Sequence, residues 1–136
     1  MAGGLRRFNV PLPEFLRQCA AKPFAPGKHD CVLMACDWVR ERTGTDPAAP
    51  WRGEYSDRRG ALKVIARAGG LVALVEAGMN KVGVSPTNDP ILGDVGVVRM
   101  HGETVMAIRT LVGWASIGPS GVVAAPDADV LAAWGI

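Results

Sequence analysis

Gly27-Lys28-His29-Asp30-Cys31-Val32-Leu33-Met34-Ala35-Cys36-Asp37-Trp38-Val39 changes character in its middle, and that change decides how the rest of the chain is read. Up to Asp30 the stretch is polar and turn-forming; from Cys31 it is apolar with helical spacing. Asp30 is a good N-cap, because its carboxylate accepts from the free backbone N–H groups of a first turn. Cys31 then takes the first helical position. There the positive end of the helix dipole favours thiolate over thiol, and the thiolate is the nucleophile.

Working outward, the N-terminal side reads as a helix over 11–21, with Phe15, Leu16 and Cys19 on its apolar face and Pro13 in the first turn. Residues 1–10 read as an extended arm. Lys22 to Gly27 holds two prolines and a glycine and is not helical. On the C-terminal side the Cys31 helix runs to about Thr43, with Gly44 as its stop. A loop from Asp46 to Gly53 precedes a helix over 58–68, capped by Ser56 or Asp57 and closed by Gly69-Gly70. A shorter helix over 71–77 follows.

After Gly78 the pattern changes. Gly93-Asp94-Val95-Gly96-Val97-Val98-Arg99-Met100 reads as a strand, His101-Gly102-Glu103 as a turn and 104–110 as the return strand. Short strands are expected at 113–117 and 121–124, and a last helical turn or two over 128–134 behind Asp127. Helices first and a small antiparallel sheet second is an α+β layout in one domain, residues 1–136.

The bulk properties exclude several classes. A 49% hydrophobic, 21% charged chain of net charge +2, its arginines scattered, is no nucleic-acid binder. Three irregularly spaced cysteines make no disulfide framework and fit a reducing cytoplasm. No apolar run approaches membrane-spanning length. No CxxC or HxxxH spacing implies a metal, and no glycine-rich loop precedes a helix to hold a phosphate, so no cofactor is expected. Trp38, Trp134, Cys19 and Cys36 read as core. Trp51, in a proline-rich loop, reads as the leading interface aromatic, with Tyr55 beside it. Arg59 and Lys63 lie on one helix face that an acidic neighbour would meet.

The order Asp-Cys, buried helix, further helices and Gly-Asp strand resembles the NlpC-type, papain-like cell-wall cysteine peptidases. Asp30-Cys31 and Gly93-Asp94 match two elements of that pattern. The segments HDCVLMACDWV, YSDRRGALKVIARAGG and GDVGVV, with Trp134 near the end, look like a small family encoded among phage and prophage tail genes. The resemblance implies a papain-like fold, the Cys31 helix packed on the sheet, and Cys31 as nucleophile with Asp94 able to orient a histidine. It implies a protein made in a bacterial host cytoplasm and carried in the virion tail, with tail hub or tip proteins as partners and peptidoglycan as a further one. The sequence departs from the pattern where the family histidine belongs, near Thr104 or Val105. Its only imidazoles are His101, three or four residues early and so about 10 Å away along a strand, and His29. Two functions compete: a structural tail component with a degenerate site, or an active hydrolase in which His101, or after it His29, serves as base for Cys31; binding peptidoglycan without cutting it sits between them.

Overall fold

The structure, a computed structural model, describes residues 10–136. Apart from Val10, which is half-buried against the core, the arm expected over 1–10 lies outside the described residues. Four helices come first: α1 (Leu12–Ala21), α2 (Cys31–Thr43), α3 (Arg58–Ala68) and α4 (Leu71–Lys81). Five strands follow: β1 (Val95–Met100), β2 (Glu103–Thr110), β3 (Gly113–Gly118), β4 (Gly121–Ala125) and β5 (Asp129–Trp134). They form one antiparallel sheet in the order β4-β3-β2-β1-β5, so the molecule is α+β.

α2 is the centre of the fold. Seven of its residues are buried, among them Leu33, Met34 and Val39 with no exposed surface, and it packs on β2 and β3. Each such side chain contributes about 1.5–3 kcal/mol by leaving water. α1 buries Leu12, Phe15 and Cys19, a helical stripe, and sets the Phe15 ring 5.1 Å from that of Trp38. Gly44 ends α2 in the left-handed region (φ 82°), its N–H donating to Arg40 O at 2.8 Å.

The sheet is apolar on both faces. Val95, Val97, Met106, Ile108 and Trp134 join the core under α2, whereas Val98, Met100, Ala107, Trp114 and Ala133 form a second cluster behind. Gly96 is crowded within the sheet, since a Cβ there would lie 2.8 Å from Ala132 O on β5 and 3.0 Å from the Trp114 ring of β3.

Two expected boundaries are corrected. α4 does not stop at Ala77 but runs to Lys81. Gly78 sits inside it because the loop carbonyl of Pro47 and the Trp51 ring press against the helix there. The segment 128–134 is no helix: Asp129–Trp134 is β5, paired with β1 from Val95↔Trp134 to Arg99↔Asp129, with a bulge between Val97 and Val98. Without it β1 would leave a row of buried N–H and C=O groups unpaired, a cost that outweighs local helix preference.

Candidate functional site

Asp30 is extended (φ −129°, ψ −179°) and collects three donors. Its Oδ1 accepts from Leu33 N at 2.9 Å, and its Oδ2 accepts from Gly27 N at 2.9 Å and from the Tyr55 hydroxyl at 2.6 Å. Gly27 (φ 85°) must be glycine, since a Cβ would collide with Tyr55 O. One carboxylate therefore ties together the approach loop, the start of α2 and the loop before α3. With those donors engaged, Asp30 acts as a cap, the role its position implies.

Cys31 follows at the first helical position, half-buried. It opens onto a groove of about 700 Å³. Phe24, Trp51 and Tyr55 line it with Val64, Ile65 and Leu74 of the two short helices, and Arg99, Glu103 and Thr104 come from the β1–β2 hairpin. The lining is mainly apolar, a form suited to holding a ligand by burial. Thr104 occupies the place expected for the family histidine. Strand alternation sets it on the same face as Met106 and Ile108, which belong to the core under α2. Val105 packs on the opposite cluster. The position facing the groove is thus filled by a hydroxyl, whose Oγ1 accepts from Arg99 Nη1 at 3.2 Å.

The electrostatics run against an activated thiolate. Burial pushes the Cys31 thiol up to about 11, and the Asp30 carboxylate adds to the effect. Backbone N–H groups of Met106 and Val32 pull the other way and do not compensate. Cys19 is also pushed up to about 11, chiefly by burial, and burial raises Cys36 further.

Neither imidazole is brought to the sulfur. His29 is buried, and its Nε2 donates to Cys19 O at 2.9 Å, fastening the approach loop to α1. His101 forms the two-residue turn between β1 and β2 with Gly102, at φ 51° and 81°, the values of a type I′ hairpin. Its Nε2 donates to Ala124 O on β4 at 3.1 Å, and it does not line the groove. Asp94 is equally committed, accepting from Ile91 N at 2.9 Å and from Ile136 N at 3.0 Å. The adjacent Gly93 carbonyl accepts from Trp38 Nε1 at 2.7 Å. The Gly-Asp signal is a clamp joining α2, β1 and Ile136, two residues beyond β5.

A family model described as "Domain of unknown function (DUF6950)" matches residues 5–136. The chain belongs to the DUF6950 family. No curated protein and no solved structure matches it.

Within this DUF6950 domain the remaining expected site residues separate. Trp51 is no surface anchor: it is 5% exposed, wedged against Gly78 of α4, and its indole N–H has no partner among the described residues. Tyr55 is half-buried and spends its hydroxyl on Asp30; burial first, then that bond, raises its pKa. Arg59 and Lys63 are exposed on α3, as their spacing implied. Among the described residues no cluster of three His, Cys, Asp or Glu side chains is placed to hold a metal ion, and no helix is long and apolar enough to cross a membrane. Sequence reading missed Arg52, which donates to Asp37 Oδ1 at 2.5 Å and Asp46 Oδ2 at 2.6 Å and pins the 46–52 loop to α2. A lone arginine between a tryptophan and a glycine gives no local sign of two acidic partners.

Proposed function

We propose that this domain is a component of a phage or prophage tail with a peptidase-derived, papain-like fold of the NlpC type, whose groove binds or braces a partner and no longer cleaves. The observation that carries the reading is the set of groups around Cys31. A cysteine hydrolase needs a base within about 3 Å of the sulfur. Here Thr104 stands at the histidine position, His29 and His101 are bonded to carbonyls elsewhere, and burial holds the thiol protonated. What persists is the binding part: an apolar groove with a rigidly capped helix start at its floor.

An active cysteine peptidase cutting peptidoglycan stem peptides is the second reading. Its support is the place of Cys31 at a helix N-terminus on the groove, with backbone N–H groups of Met106 and Val32 directed at the sulfur.

Iodoacetamide labelling of Cys31 against pH, with Cys19 and Cys36 as internal controls, separates the two. The binding reading expects slow labelling with a midpoint well above the ~8.5 of a free thiol. It also expects purified sacculi to be cleared no faster by the native protein than by Cys31→Ala. Fast labelling persisting at pH 6, or clearing lost in Cys31→Ala, would overturn it.

A further inference from the structure

α3 is a helix whose packing is unfinished. None of its side chains is buried; Val64 and Ile65 are half-buried against the core, Ala61 is half-buried beside them, and Leu62 and Lys63 face solvent. An isolated helix of its length is marginal in water, so contacts on the outer face would matter to it. That face carries two adjacent rows at i, i+4, i+8 spacing: Arg58-Leu62-Ala66, and beside it Arg59-Lys63-Arg67. Leu62 is 53% exposed, and a shallow hollow of about 530 Å³ lies over Arg58, Arg59, Leu62, Lys63 and Ala66.

Among the described residues the cations are not neutralised. Arg58, Arg59, Lys63 and Arg67 have no ion pair or hydrogen bond among the described residues, in contrast to Arg17, Arg40 and Arg52. Asp57, the acid next to them, spends Oδ1 on Gly60 N at 2.7 Å. Like charges at i, i+4 repel along a helix. The second row therefore weakens α3 until something negative meets it.

We propose that this face docks an acidic, amphipathic helical segment of a partner protein. Carboxylates spaced i, i+4, i+8 on that segment would face Arg59, Lys63 and Arg67, and an aliphatic side chain would cover Leu62. Equal rise per residue on both helices makes the two rows commensurate. A phosphate polyanion would satisfy the cations but gains nothing from the Leu62-Ala66 edge, and a chain of net charge +2 lacks the wider positive field such ligands need. A second copy is a poor fit: α1 and α4 carry single acids, Glu14 and Glu76, and of the pair Asp37 and Glu41 on α2, Asp37 is already held by Arg40 and Arg52. The inference rests on the surface of α3 alone and holds whether or not Cys31 is reactive.

The test is a fluorescence-anisotropy titration of the full chain with a synthetic helical peptide of about 18 residues bearing Leu and Glu at these spacings. Controls are the same peptide with Gln for Glu, an oligodeoxythymidylate, and phosphatidylglycerol vesicles. Binding is expected for the Glu peptide and not for its Gln form. It should weaken roughly tenfold in Arg59→Glu/Lys63→Glu and fall with added salt. A Lys-for-Glu peptide should then prefer the double variant, a swap that no general loss of folding produces. Absence of binding, binding indifferent to the double substitution, or tighter binding of oligonucleotide or vesicles would overturn the proposal. Both variant positions are solvent-facing and without a partner among the described residues, so an unchanged circular dichroism spectrum is expected.

Discussion

Asp30 shows how much one side chain organises. Its three donors come from the approach loop, the first turn of α2 and the Tyr55 hydroxyl, and the peptide groups among them cannot turn to water without opening the loop. Asp30→Ala should therefore cost more than an ordinary cap loss, about 2–3 kcal/mol in urea denaturation. Tyr55→Phe removes one donor and should cost about 1 kcal/mol. If Asp30→Ala melts like the native chain, the carboxylate is not the organiser described. The same residue explains why the cysteine is quiet. A helix start draws a thiol towards ionisation, but burial and the neighbouring carboxylate prevail here. The helix start and its cap were legible in Asp30-Cys31. The environment of the sulfur was not, because it depends on Met106 and Thr104, which arrive from a strand far along the chain.

At the scale of elements, α4 offers a test in which propensity and packing disagree. Ala is about 1 kcal/mol better than Gly inside a helix. At Gly78, however, a Cβ meets Pro47 O and comes 2.8 Å from the Trp51 ring. Gly78→Ala should therefore destabilise, by about 1–3 kcal/mol, and a raised thermal midpoint would show that the loop yields instead. Reading Gly78 as a helix stop was the natural inference from sequence, because nothing local distinguishes a glycine that ends a helix from one that admits a tryptophan. β5 failed for a related reason. Ala128 to Trp134 is locally compatible with a helix, and only the open side of β1 makes it a strand. By contrast, α1, α2, α3 and the β1–β2 hairpin carry their own punctuation, in Pro13, Asp30, Gly44, Asp57 and His101-Gly102, and were legible to within two residues at each end.

For the whole molecule, the paired and buried groups define a pH window of stability. Burial works against the Asp46 carboxylate, but its bonds to Arg52 and Ala48 N and the nearby Arg40 hold it below the usual carboxylate range. A carboxylate lowered by folding contributes stability above its ordinary value, near ~3.9, and loses it as pH falls through the folded value. The acid limb should thus steepen below about pH 4. Arg52→Met should cost about 1–2 kcal/mol near neutrality, where Asp37 and Asp46 are left unpaired, and should flatten that limb. On the alkaline side the sign reverses. Cys31 and Cys19 are raised from 9.0 to about 11 by burial, so the folded state holds their protons more tightly than the unfolded chain does. Their contribution is complete below pH 9 and is lost as pH rises through about 11. Cys36 and Tyr55, raised further, keep their protons beyond that. Urea midpoints measured from pH 7 to 11 should therefore fall in the native protein, and fall less steeply in Cys19→Ala. A curve flat to pH 11 would mean that the thiols meet water freely, and the protonated, half-buried Cys31 on which the binding reading depends would go with it.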